Sequence, residues 1–279
     1  MAAVWYYDRG VMRVFLPTLL LAVLATACST VPGTGRSQIN FMSTSQEMRM
    51  GAQAYREMLS DEQVVTSGPD AAMVQRIGER IAASAVEMLP DSDAKKFRWE
   101  FKLIHAPEVA NAWALPGGKT AVYTGLLPIT QDEDSLAAVM GHEVAHALAS
   151  HGAERMSHNV LLQGALIGAN FSMKDMEEGT RNDVMMALGI GANVGVMLPF
   201  SRNHESEADE IGLMLAANAG YNPEAAVGLW QRMGANSQGA PPEFLSTHPS
   251  ADTRIERLRA LMPQANELYR AALQRGSSR

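Results

Sequence analysis

Cysteine is all but missing: Cys28 stands alone in 279 residues, so no disulfide can form within the chain. Aromatic residues make up 6%, too few for a core built on stacked rings, and 18 methionines suggest an adaptable, helix-rich interior instead. There is no block of lysine or arginine and the formal net charge is −7, which argues against nucleic acid as a partner, because phosphate binding needs clustered positive charge. No apolar run reaches the roughly 20 residues that a membrane-spanning helix requires.

What is present suits one folded domain: 47% hydrophobic and 19% charged residues, enough to bury a core without covalent staples. The first segment is an exception. "MRVFLPTLLLAVLATAC" carries one arginine, an uncharged apolar run and small residues before Cys28; it reads as a secretory signal peptide over residues 1–27, with translation starting at Met12. The tail "LATAC" resembles a lipobox, which makes Cys28 the expected lipidation site and attaches the chain to a membrane through an N-terminal lipid. Ser29 after it leans towards the outer membrane of a Gram-negative bacterium, on the periplasmic side. "STVPGTGRSQIN" then reads as a tether, giving residues 28–42 to the lipidated cysteine and its linker. Residues 43–279 remain for a single domain.

Periodicity within that domain is mixed. "STSQEMRMGAQAYREML" predicts a helix with Ser43 or Thr44 as its cap and Gln46 or Glu47 closing a capping box. "PDAAMVQRIGERIAASAVEMLP" predicts a second, opened by Pro69 and stopped before Pro90. In "KFRWEFKLI" the apolar residues alternate, as in a half-buried strand. "NAWALPGGKTAVYTGLL" reads as two strands about a Pro116-Gly117-Gly118 turn. A small sheet among helices makes the class α+β. "TQDEDSLAAVMGHEVAHALASHGAERM" predicts one long helix with Thr130 and Glu133 as a capping box. Residues 158–200 hold two apolar stretches with G-x-x-x-G spacings, Gly164/Gly168 and Gly191/Gly195; they read as a packed helical hairpin, or as a flap against a membrane surface or partner.

The chemistry lies in "GHEVAHALASHGAERM", residues 141–156. Four residues apart on a helix, His142 and His146 share a face and can offer two imidazole nitrogens to one ion. Glu143 points slightly aside, where it can reach a water next to that ion without binding the metal itself. Burying this trio unpaired in an alanine-rich segment would cost several kcal/mol, so a bound cation explains it best. A catalytic zinc site needs a third protein ligand. "SRNHESEADEIG" offers Glu205, with Asp209 one turn on to accept a hydrogen bond from a ligand histidine; helix phase leaves Glu207 and His204 open. His105, His151 and His158 read as structural or surface histidines, and Arg202 and Arg254 as possible partners for acids around the site.

"HEVAH" with "SRNHESEAD" resembles the gluzincin zinc metallopeptidases related to HtpX and the CAAX prenyl proteases. "TGRSQIN", "NAWALPGGKTAVYTGLL" and "STHPSADTRI" resemble that family's periplasmic lipoprotein branch, which includes LoiP and BepA, here without a tetratricopeptide domain. The resemblance implies a mainly helical zincin-type domain with a small sheet whose edge strand borders the zinc cleft. It also implies one Zn²⁺ per chain on His142, His146 and Glu205, Asp209 as the orienting carboxylate, and Glu143 as the general base. His248 in "THPS" becomes either an oxyanion donor or a fourth ligand that plugs the site. An extended substrate would add to the strand edge at Asn111, Ala112 and Trp113. Unfolded or misassembled envelope proteins are the expected substrates, outer-membrane assembly machinery an expected partner, and membrane protein quality control the role. The alternative is a chaperone or assembly factor with a plugged, mostly inactive zinc site.

Overall fold

A computed structural model of the chain describes residues 28–192, 197–235, 244, 248 and 253–277. The segment read as a signal peptide, Gly195, and most of "STHPSADTRI" lie outside them.

Helix α1, Thr44–Leu59, starts as its sequence predicts. Ser43 accepts a hydrogen bond from the Gln46 amide, and the Gln46 side chain reaches back to the Ser43 backbone, satisfying two amides that the helix itself leaves orphaned. Helix α2, Pro69–Met88, opens on proline and ends before Pro90. The sheet runs β3–β4–β6–β5, with β3 at Val64–Val65, β4 at Glu100–Ile104, β5 at Ala112–Leu115 and β6 at Lys119–Tyr123. β4 and β6 are parallel; β5 pairs antiparallel with β6, Trp113 facing Ala121. The β5–β6 turn needs its glycines: Gly117 and Gly118 both hold positive φ, and a Cβ on Gly118 would meet the Trp99 ring at 2.6 Å. β5 is left as an edge strand. β4 is shorter than the alternation predicts, because Arg98 already donates its amide across to the Gly117 carbonyl of the turn.

A short helix α3, Leu127–Thr130, precedes the central helix α4, Glu133–Leu148. The expected cap at Thr130 is displaced: Thr130 donates to the Leu127 carbonyl within α3, Gln131 turns left-handed, and Asp132 caps α4 by accepting the Ser135 amide at 2.7 Å. α4 also stops early. Ser150 adopts φ 54°, a left-handed residue of the kind that terminates helices, and α5, His151–Ser172, starts afresh. The single long helix expected from the sequence is therefore two, set at an angle by Ser150.

α4 is packed tightest against α7, Leu198–Asn218. A Cβ on Gly141 would sit 2.6 Å from the Gly212 carbonyl oxygen, and one on Gly212 would sit 2.6 Å from the His142 amide. Two facing glycines thus let the helix backbones touch beside His142. The G-x-x-x-G pairs do no such thing: Gly164, Gly168 and Gly191 have open space where a Cβ would go. Over residues 158–192 the two helices touch each other but are not packed into the body. Beyond Ser157, α5 buries nothing, α6 (Glu178–Ala192) buries nothing, and Ile167 and Phe171 are about 70% exposed. Among the described residues no helix is long and apolar enough to cross a membrane.

The expected tether is also corrected. Cys28–Thr30 (β1) pairs antiparallel with Ser37–Ile39 (β2), and Val31 between them is buried in the main core. An apolar side chain with a core to enter and an arginine with carboxylates to meet hold this segment on the body. Helices α8, Glu224–Ala235, and α9, Thr253–Ser277, complete the fold; α9 delivers Arg254, buried, towards α4.

Candidate metal centre

Three elements converge beside the α4–α7 crossing. α4 supplies His142, Glu143 and His146; α7 supplies Glu205, Glu207 and Asp209; the segment after Phe244 supplies His248. His142 Nε2 lies 3.1 Å from His146 Nε2, 3.2 Å from His248 Nδ1 and 3.3 Å from Glu205 Oε2. His146 Nε2 lies 3.5 Å from Glu205 Oε1, and His248 Nδ1 3.1 Å from both Glu205 oxygens. One donor atom from each of the four residues falls within 4.8 Å of the others.

These separations are the fit test for a metal. Four donors about 2.0–2.1 Å from a tetrahedral zinc stand roughly 3.3 Å from one another. The tautomers agree as well. His142 Nδ1 lies 3.0 Å from Asp209 Oδ1; a carboxylate only accepts, so Nδ1 carries the proton and Nε2 presents a lone pair. Ring nitrogens with lone pairs aimed at one another repel unless a cation lies between them. Glu205 shows the same demand for positive charge: burial alone would raise its pKa, yet hydrogen bonds with His142 and His248 hold its carboxyl far below the ordinary range. Burial and Arg254 act to lower the pKa of His142, but hydrogen bonds with Asp209 and Glu205 lift it to about 9.

Glu143 is held differently. It is buried, and its Oε1 has no hydrogen-bond partner; His248 Nε2 stands 3.4 Å off. Burial pushes its carboxyl above the usual range, against the pull of His248 and His142. A carboxylate with a free lone pair and a raised pKa, next to the cluster but outside it, is equipped to take a proton. Behind the cluster, Arg254 donates to Asp209 at 2.5 Å and lies 3.5 Å over the Trp230 ring. Arg202 is exposed.

A cleft of about 300 Å³ opens on this cluster, lined by Trp113, Ala114, Leu115 and Pro116 from the β5 edge, with Glu143, His146, Glu205 and His248 at its floor. Trp113 thus borders it as expected. Asn111 and Ala112, expected beside it, are buried and do not line it.

The family model for peptidase family M48 matches residues 70–262. The chain belongs to peptidase family M48. Mitochondrial metalloendopeptidase OMA1 of Schizosaccharomyces pombe is 37% identical over 240 residues, covering 84% of this chain and 66% of its own length. The Saccharomyces cerevisiae protein of that name is 30% identical over 269 residues, covering 89% and 75%. The Beta-barrel assembly-enhancing protease of Escherichia coli K12 is 28% identical over 241 residues, covering 83% of this chain but 47% of its own length. Membership in M48 makes the chain a metalloendopeptidase, a hydrolase of peptide bonds, in a family whose metallopeptidases are zinc-dependent. The α+β, mainly helical architecture agrees with an M48 protease domain.

One site residue escaped the sequence. Five positions beyond His146 on a continuous helix, His151 would face away. The left-handed Ser150 redirects it, and His151 Nδ1 comes 2.9 Å from His146 Nδ1. His151 is buried, not a surface histidine, and burial pulls its pKa down to about 4 even though it bonds Glu207. Neither spacing nor composition signals the contact.

Proposed function

We propose that this chain is a zinc endopeptidase of membrane protein quality control, cutting unfolded or misassembled envelope proteins from a lipid anchor on the periplasmic face of the outer membrane. The observation that carries the enzymatic reading is the convergence of His142, His146, Glu205 and His248 on one point, with the unpartnered Oε1 of Glu143 beside it and the edge strand β5 alongside.

His142, His146 and Glu205 would hold zinc, which when bound lowers the pKa of a water to about 7 and polarises a carbonyl. Asp209, backed by Arg254, fixes the His142 tautomer. Glu143 accepts the proton of the attacking water and delivers it to the departing amine. An extended peptide adds to the free edge of β5 through backbone hydrogen bonds, a mode that reads little side-chain identity and suits unfolded clients. Trp113, ring to ring with Tyr55 at 5.9 Å, walls that groove.

His248 supports a second statement about the same site. Its Nδ1 lies 3.1 Å from Glu205 and 3.2 Å from His142, and there it would act as a fourth ligand that closes the site to substrate. On this reading His248→Ala raises cleavage of an unfolded protein about tenfold, because the open form no longer competes with the plugged one. If cleavage instead drops a hundredfold or more, His248 serves the oxyanion and the plug is wrong. Chelation should abolish cleavage by the full chain and added zinc restore it; indifference to chelator would refute the zinc assignment.

The anchor rests on "LATAC" and on Cys28, exposed at the start of β1. The relative named for β-barrel assembly supports the envelope, while the relatives of higher identity are named mitochondrial. Cells fed labelled palmitate should label the full chain and not Cys28→Ser; equal labelling of both would remove the lipid anchor.

A further inference from the structure

We propose that Arg36, Glu207 and His151 form a relay that fixes the tautomer and ring orientation of His146, so that the N-terminal strand pair is a working part of the metal site. The proposal rests on the zinc reading above and deepens it.

The relay can be traced atom by atom. Glu207 Oε2 receives Arg36 Nε at 2.9 Å, and Glu207 Oε1 receives the Thr34 hydroxyl. The same Oε2 lies 3.0 Å from His151 Nε2. A carboxylate so placed accepts and cannot donate, so His151 Nε2 must carry the hydrogen. In a neutral His151 the lone pair is then at Nδ1. That lone pair faces His146 Nδ1 at 2.9 Å, so His146 donates from Nδ1 and is left with a bare Nε2. That nitrogen is the one aimed into the cluster, 3.1 Å from His142 Nε2. If His151 were turned or removed, nothing in the relay would hold the proton on Nδ1, and His146 could carry it on Nε2, where it blocks metal.

His142 is served by Asp209 with Arg254 behind it; His146 is served by His151 with Glu207 and Arg36 behind it. Metal-ligating histidines are regularly held by such partners. What differs here is the origin of the last residue. Arg36 lies outside residues 70–262 matched by the family model, at the end of the loop that joins β1 to β2. It is held there by a second grip, bidentate to Glu154 at 2.8 and 2.7 Å. Glu154 in turn lies 2.8 Å from His204 Nε2, and the His204 ring stacks on His151 at 4.0 Å, 9° from parallel. The plane of His151 is therefore set from two sides. His151, Glu207 and Arg36 are positioning residues: His151 borders the cleft beside His146, Glu207 and Arg36 do not line it, and all three act on the metal site through His146.

The test is zinc affinity of the full chain, measured by competition with a chromogenic chelator, for the unsubstituted protein and for His151→Phe, His151→Asn and Arg36→Gln. Cobalt(II) spectra of the same proteins report ligand geometry. His151→Phe keeps a ring but loses the acceptor, and its affinity should fall about ten- to a hundredfold with an altered cobalt band. His151→Asn, whose amide oxygen can stand near the Nδ1 position, should recover most of the loss. Arg36→Gln, at the half-exposed end of the relay, should weaken binding several-fold and is the informative variant if His151→Phe does not fold. Unchanged affinity and cobalt spectrum in folded His151→Phe or Arg36→Gln, with only thermal stability of the metal-free protein lowered, would overturn the relay and leave a structural role. If the unsubstituted chain itself binds no zinc, the zinc reading fails first, and the relay with it.

Discussion

Glu143→Gln should bind zinc as the unsubstituted chain does and cleave an unfolded protein about 10²–10⁴ times more slowly, the usual effect of losing a positioned base. The two outcomes separate because Glu143 lies beside the cluster and not in it: the converging donors belong to His142, His146, Glu205 and His248. Glutamine keeps the size of the side chain and any hydrogen bond from the backbone of Ala114, but it cannot take a proton. Steady-state cleavage at matched zinc content measures the effect. Activity within tenfold of the unsubstituted enzyme would mean that some other group moves the proton, and the reading of Glu143 would fall. A chaperone with a mostly inactive site predicts no such difference, since neither protein would cleave appreciably.

Gly141→Ala should destabilise the protein by about 1–3 kcal/mol, as overpacking of a tight core does, and weaken zinc binding at the same time. The sign is the informative part. In an ordinary helix interior, replacing glycine by alanine gains about 0.8–1 kcal/mol. Here the new methyl would fall 2.6 Å from the Gly212 carbonyl oxygen, against a backbone that cannot swing aside as a side chain would. α4 and α7 must then part, and with them His142 on one and Glu205 and Asp209 on the other. Thermal unfolding of the metal-free and zinc-loaded proteins tests both halves. A stabilised Gly141→Ala with unchanged affinity would show that the close crossing does not hold the site together.

The chemical heart of this chain was legible because it obeys local rules. Two histidines and a carboxylate at helical spacing, and a second helix with acids at the same spacing, declare their faces without reference to the rest of the molecule. Ser43 with Gln46, Pro69 and the Pro116-Gly117-Gly118 turn were legible for the same reason: a cap or tight turn is satisfied within a few residues. The failures share the opposite cause. Ser150 carries no mark of the left-handed backbone that ends α4, so His151 seemed to face away from His146. Arg36 meets Glu207 across 171 positions, a pairing that leaves no periodic trace, and its segment read as a linker by composition alone. Likewise Gly164, Gly168 and Gly191 of the conspicuous G-x-x-x-G spacings have open space beside them, while Gly141 and Gly212, unremarkable in sequence, bring the two metal-bearing helices together. What left no trace was a contact made by an unmarked backbone turn, as at Ser150 between residues five positions apart, or by tertiary packing outside any helical spacing, as at Arg36 and Glu207.

Zinc-edge X-ray absorption of the zinc-loaded full chain, with and without His248→Ala, bears most directly on the central claim that these four residues are one metal site. The account predicts a single four-coordinate zinc with nitrogen and oxygen ligands at about 2.0–2.1 Å, three of them imidazoles, falling to two in His248→Ala. Zinc bound by the unsubstituted chain with fewer than three imidazoles, an imidazole count unchanged in His248→Ala, or no stoichiometric zinc at all, would contradict it.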